Sequence, residues 1–252
     1  MQPSRYSDPE RGASTPSKYF ARREQMQHIG IGRLIAFLVC IVGFPLHLLI
    51  CLCIKLADGG APLYRAERAG RFGKPFVILK YRTMKVNCQP LVRAGCKVIV
   101  EANDPRVTPL GRVLRCGVDE LSQVANIARG DMGWIGPRPV PTSMLSKYGP
   151  VIRERFDIQP GITGLAQVLD SRSCDSARVF AIDIWYITHR SPRLDLWIIA
   201  VTPAFICGWR SVGRNRLNRL LQLPEFREIE RRCQDELGPN VGVLQAAGLT
   251  RG

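Results

Sequence analysis

Acidic residues are scarce in this chain. Asp and Glu number 21 against 36 Lys and Arg in 252 residues, a formal net charge of +15. That surplus points to anionic partners: nucleic acid, an anionic membrane surface or phosphorylated substrates. Histidine is scarcer still, and His28, His47 and His189 are too dispersed to suggest a ligand set. The nine cysteines include no C-x-x-C pair, and only Cys51-Leu52-Cys53 lie close together. Neither a disulfide framework nor a zinc site follows, which fits a reducing cytoplasm. The sequence also lacks a D-x-D triplet, a G-x-x-x-x-G-K-[ST] phosphate loop, an H-E-x-x-H zinc motif and a G-x-S-x-G nucleophile elbow. A basic nucleic-acid-binding protein is suggested by charge alone, and no recognition motif supports it.

Only one long stretch is free of charge, Leu34 to Ile54. As a straight helix it reaches about 31 Å, enough to cross the hydrocarbon core. Gly43-Phe44-Pro45 lies at its middle, where proline kinks a helix. Both flanks are basic, with Arg22, Arg23 and Arg33 before it and Lys55, Arg65, Arg68 and Arg71 after it. One crossing cannot place both flanks on the cytoplasmic side. A hairpin that enters and leaves one leaflet can, and an ordinary single-pass anchor is the alternative.

The remaining pattern divides the chain into a disordered cytoplasmic tail (1–28), a re-entrant membrane helix (29–57), a cytoplasmic domain with interfacial helices (58–210) and a basic C-terminal extension and tail (211–252). Pro62–Arg65 and Phe76–Tyr81 read as a strand hairpin, and a short strand is expected at Lys97–Val100. Thr142–Tyr148 and Val151–Phe156 suggest short helices. Pro160–Gly164 reads as a turn leading into a strand to Val168. Helices follow at Asp175–His189 and Leu194–Trp209, the latter buried or at a membrane interface. The arginine-rich helix to about Leu237 either docks to anionic lipid or is solvated, and the last fifteen residues are expected to be disordered. The fold class is α/β, a membrane-associated small sheet surrounded by helices behind an N-terminal re-entrant hairpin.

Residues Asn103 to Pro139 carry the chemistry. Thr108-Pro109 reads as a cap and first helical residue, and Gly117 ends that helix. A second helix starts near Asp119 and stops at Gly130. Asp119 and Glu120 stand between Arg106, Arg112 and Arg115 on one side and Arg129 and Arg138 on the other. A carboxylate in a helix's first turn is favoured in its ionised form. It can attack phosphorus or bind a hard cation, and attack on phosphate needs Mg²⁺ and basic groups to offset charge repulsion. By charge pattern alone, the pair reads rather as favouring the helix start beneath solvated arginines.

Particular pieces resolve that choice. Gly73-Lys74-Pro75-Phe76 with Lys80-Tyr81-Arg82-Thr83-Met84, Asp104-Pro105-Arg106-Val107-Thr108, Asp119-Glu120-Leu121, Arg129-Gly130-Asp131-Met132, Gly136-Pro137-Arg138-Pro139 and Pro160-Gly161-Ile162-Thr163-Gly164-Leu165 occur in that order. Together, over roughly Ile31 to Trp209, they resemble the bacterial sugar transferase family, the monotopic phosphoglycosyl transferases. The resemblance implies transfer of a sugar-1-phosphate from a UDP-sugar to polyprenyl (undecaprenyl) phosphate with release of UMP, initiating exopolysaccharide or other glycan assembly at the cytoplasmic face of the bacterial inner membrane. It implies Asp119 as nucleophile, Glu120 beside it, Mg²⁺ bound at the pair, and Lys80, Arg82, Arg106, Arg112, Arg115 and Arg138 toward substrate phosphates. It also implies a re-entrant helix broken at Pro45. Anionic membrane lipid is a further expected partner, nucleic acid is not, and a homodimer is left open. The turn at Cys116–Val118 is one residue shorter than the family pattern, Ser122 replaces its usual proline, and Val124-Ala125-Asn126 replaces Leu-Trp-Asn. A diverged relative serving as a membrane-bound partner in a glycan-assembly complex is the alternative.

Overall fold

A computed structural model describes residues 24–86, 88, 104–170, 176–207 and 213–238, with side chains from residue 30. The tail before residue 24, the strand expected at Lys97–Val100, Arg210 and the last fourteen residues lie outside the described set.

Helix α1, Glu24–Asp58, runs without interruption and holds Pro45 inside it. It starts ahead of position 29, and the expected break into two arms is corrected to one continuous helix. Proline removes a single N–H and crowds one carbonyl, which can bend a helix without ending it. Its part Gly30–Asp58 is long and apolar enough to cross a bilayer. Gly32, Ala36, Cys40, Gly43, His47, Ile50, Cys51 and Ile54 are covered, at spacings of mostly three and four. That is one narrow stripe. Between Leu34 and Ile54 the rest of the surface is bare and apolar, including Leu34, Phe37, Val42, Phe44, Leu49 and Leu52.

The stripe rests on the body along its whole length. Near its start, Trp134 Nε1 donates to Gly32 O at 2.9 Å and Arg33 donates to the carbonyls of Ala128 and Arg129. At its middle, His47 Nδ1 and Tyr81 Oη are 2.8 Å apart. Near its end, Ile54 packs on Tyr81 and Leu114.

Strands β1 (Leu63–Ala69) and β2 (Pro75–Tyr81) form the expected antiparallel hairpin, longer than its apolar core suggests. The helix α2, Pro109–Leu114, is capped by Thr108, whose hydroxyl accepts from Gly111 N at 2.9 Å. Gly117, at φ 114°, then reverses the chain into a 3-10 turn, Val118–Gln123, that continues as α3, Val124–Arg129. Buried Asn126 binds α3 to β2: it accepts from Leu79 N at 3.0 Å and donates to Val77 O at 2.7 Å. A side-chain amide here supplies the hydrogen bonds of a neighbouring strand.

A second sheet replaces part of the expected single one. Strand β3, Gly133–Ile135, pairs in parallel with β4, Gly161–Thr163. The expected turn at Pro160–Gly164 is thus mostly strand, and the strand expected to reach Val168 is helix α5, Leu165–Asp170. A Cβ on Gly161 would lie 2.1 Å from Gly136 N, and one on Gly164 2.2 Å from Gly136 O. These glycines serve close backbone packing rather than turning. The larger core gathers α4 (Pro150–Arg153), α6 (Ser176–His189), α7 (Pro192–Ile206), α8 (Arg214–Gln222) and α9 (Pro224–Leu237). The C-terminal extension is not a solvated helix. Phe226 and Cys233 of α9 are fully buried, and Glu236 accepts from the N–H groups of Val151 and Ile152 at 2.7 and 3.0 Å.

Candidate active site

Strand β2, the 3-10 turn and the loop after β3 converge on Glu120. Its Oε1 accepts from Lys80 Nζ at 2.5 Å and from Arg138 at 2.8 Å. Burial pushes the Glu120 carboxyl up, but Arg138 and Lys80 outweigh it and hold the group at about 2. Glu120 is therefore the fixed anion that seats two cations. The Arg138 carbonyl is held in turn by Arg155 at 3.0 Å, and Arg155 forms a buried ion pair with Asp183.

Asp119 behaves differently. Burial raises its pKa, opposed by Lys80 and Arg115 and reinforced by the negative charge of Glu120. The expectation that a helix start would favour its ionised form is corrected: the helix opens with a short 3-10 turn, and loss of water outweighs the aid of its backbone. Desolvation makes this the less stabilised anion of the pair.

The structure brings together Lys80, Arg115, Asp119, Glu120 and Arg138. Arg115 bears on Asp119 electrostatically while its Nε donates to Thr83 at 3.0 Å, so the shortened Cys116–Val118 turn has not carried it away. Other expected substrate contacts are engaged elsewhere. Arg82 pairs with Asp58 at the end of α1. Arg106 grips Asp104 through Nε and a terminal nitrogen, and these hydrogen bonds hold the Asp104 carboxyl at about 2. Arg112 is exposed on α2. For these three, the expectation of substrate contact gains no geometric support.

Three residues escaped the sequence reading. Asn126 fixes the strand that carries Lys80. Arg68 and Gln123 line a cleft of about 70 Å³ with Ile78, Lys80, Arg138, Pro139 and Gly161. Arg68 shares a sheet face with Lys80, because its partner Phe76 lies an even number of residues from Lys80. That signal was readable only with the full length of β1.

Among the described residues, no group of three His, Cys, Asp or Glu side chains converges on one point. With Glu120 Oε1 already held by Lys80 and Arg138, Asp119 and the other Glu120 oxygen would be the groups to hold Mg²⁺, which commonly takes one or two carboxylates with substrate phosphates and water.

A carboxylate pair flanked by Lys80, Arg115 and Arg138 has the donors and charge that suit a phosphorylated ligand. The chain belongs to the bacterial sugar transferase family, whose profile matches residues 24–208, and it is a transferase. It is 36% identical over 186 residues to the exopolysaccharide production protein ExoY of Sinorhizobium fredii, covering 69% of this chain and 82% of that one. It is 42% identical over 168 residues to a UDP-glucose:undecaprenyl-phosphate glucose-1-phosphate transferase of Caulobacter vibrioides, covering 63% and 61%. With the undecaprenyl-phosphate galactose phosphotransferase of Salmonella typhimurium, identity is 34% over 180 residues, covering 66% and 37%. The chain spans less than two thirds of the last two relatives. Helices α8 and α9 lie beyond the family match.

Proposed function

We propose that this chain transfers a sugar-1-phosphate from a UDP-sugar to polyprenyl phosphate at the cytoplasmic face of the inner membrane. The observation that carries the reading is the division of labour between the two carboxylates. Glu120 seats Lys80 and Arg138, while Asp119, raised by burial, is left as the nucleophile. An Asp119 oxygen attacks the β-phosphorus of the donor, its bond to the bridging oxygen breaks, and UMP leaves with that electron pair. Lys80, Arg115 and Arg138 offset the charge of the approaching phosphates. A phosphate oxygen of the polyprenyl acceptor then attacks the same phosphorus and frees the Asp119 carboxylate. Mg²⁺ at Asp119 and Glu120 would supply further neutralisation of the diphosphate. The family relationship and the relatives' substrates support the reaction class.

The contact stripe of α1 supports a one-sided membrane association. From Gly32 to Ile54 one face lies on the body, so a perpendicular crossing would draw that body into hydrocarbon. A helix held against the body with its bare flanks in one leaflet avoids this cost. It also keeps the site at the depth of lipid phosphates.

Purified protein, Mg²⁺ and either UDP-glucose or UDP-galactose test the chemistry without acceptor. UMP equal to about one enzyme equivalent, a hydroxylamine-labile sugar-phosphate adduct, and loss of both in Asp119→Asn are expected. An adduct that survives Asp119→Asn, or UMP that appears only with acceptor present, would overturn the nucleophile assignment.

A further inference from the structure

We propose that Arg68 and Gln123 complete a second phosphate subsite, distinct from the position attacked by Asp119 and joined to it through Lys80. The proposal deepens the phosphoryl-transfer reading and rests on it for the source of the phosphate. The cleft at the meeting of β1, β2, the 3-10 turn and the loop after β3 is walled by Arg68, Lys80 and Arg138, with Gln123 among its lining residues. Neither Asp119 nor Glu120 lines it.

Its charge is unbalanced. Lys80 and Arg138 share one carboxylate, Glu120. Among the described residues, the half-buried Arg68 side chain donates only to the carbonyl of its neighbour Glu67, at 3.1 Å, and the Glu67 carboxylate accepts from the Thr142 hydroxyl. Three cations thus wall a space that no carboxylate lines, with Glu120 binding two of them and Asp119 acting on Lys80 from outside it, and the space admits several water-sized groups.

Gln123 makes the stronger argument. It is 2% exposed, and its buried Nε2 has no hydrogen-bond partner among the described residues. A buried amide left unpaired is destabilising, and such groups are usually satisfied by protein or ligand. Two guanidinium groups, an ammonium and a free amide N–H are all donors. They suit a group that only accepts, and a phosphate with several oxygens meets them together. The uncharged sugar hydroxyls or a nucleobase would leave the charge surplus unanswered.

Two phosphates of this chemistry enter the reaction: the second phosphate of the nucleotide donor, and the phosphate of the lipid acceptor. The test begins with neither, using inorganic pyrophosphate on the full-length protein in nanodiscs. Titration calorimetry should show Arg68→Ala binding about tenfold to a hundredfold more weakly, with Arg68→Lys between it and the parent. Gln123→Leu should bind about tenfold more weakly while the ligand-free protein melts no lower, because the substitution removes an unpaired buried amide. A purely structural Gln123 predicts the reverse, a lower melting temperature with unchanged pyrophosphate binding, and that result overturns the subsite. Should Arg68→Ala fail to fold, Arg68→Gln keeps the stem and serves in its place.

The source is then read from single turnovers. A weakened UDP-sugar dependence of the UMP burst in the Arg68 and Gln123 variants assigns the subsite to the donor. A normal burst followed by a weakened polyprenyl-phosphate dependence of the second step assigns it to the acceptor. Both steps unchanged overturn the proposal. Pyrophosphate binding requires no turnover, so its loss in Arg68→Ala and retention in Asp119→Asn would sustain the subsite even if the adduct survived in Asp119→Asn.

Discussion

Asp119 and Glu120 are neighbours in the chain, yet their pKa values are displaced in opposite directions. Such splitting separates roles within a carboxylate pair. For Asp119 the raised pKa means that the folded protein binds the proton more readily than the unfolded chain. Its contribution to stability therefore falls as pH rises from the ordinary value of 3.8 through the folded one, and at neutral pH its charge costs stability. Asp119→Asn should melt higher than the parent at pH 7 while losing the UMP burst, and differential scanning calorimetry beside quenched-flow assay would show both. The acid limb of kcat/KM should lie above pH 3.8. Glu120 has the opposite sign: its stabilisation is present above 4.5 and is lost as pH falls toward about 2. Glu120→Gln should melt lower at pH 7, and the gap should close in acid. Charge and family pattern made five members of this cluster legible. They could not distinguish Arg82 and Arg106, because the carboxylates that claim them, Asp58 and Asp104, become visible as partners only once folded.

Strand β2 carries Lys80; β1 pairs along one edge of it, and the Asn126 amide ties it to α3. Asn126→Leu leaves Leu79 N–H and Val77 C=O without their buried partner, at a cost of about 2–4 kcal/mol in urea unfolding. Lys80 should lose its register on Glu120 with it, lowering the burst rate. Helix α1 invites a separate measurement. In a cysteine-free background, single cysteines at Glu24 and Lys74 should both resist a membrane-impermeant reagent applied to whole cells. Labelling of Glu24→Cys alone would indicate a crossing. Period-two patterning revealed the β1–β2 hairpin, and capping residues revealed α2. The parallel pair β3–β4 was hidden because each strand has only three residues, and because Gly161 and Gly164 resemble turn residues when their real constraint is the nearby backbone of Gly136.

At the scale of the molecule, α9 belongs to the main core although it stands beyond the family match. Its mean composition is that of a solvated helix, and its few buried apolar residues, Phe226 and Cys233 among them, are diluted by surrounding charge. That dilution is why the sequence reading left it in water. Phe226→Ala should cost about 3–5 kcal/mol through transfer and cavity terms, read as a lower urea midpoint. There is also a consequence for the order of events during synthesis. Helix α1 leaves the ribosome first and α9 last among the described elements. The N–H groups of Val151 and Ile152 must wait for Glu236, 85 and 84 residues downstream, to emerge. By then the apolar helix has had time to meet the bilayer, since translation adds only about 5–20 residues per second. Under the proposed membrane association, closure of the body is an event at the lipid surface, and a nascent chain stalled before α9 would be tethered there still open to proteases.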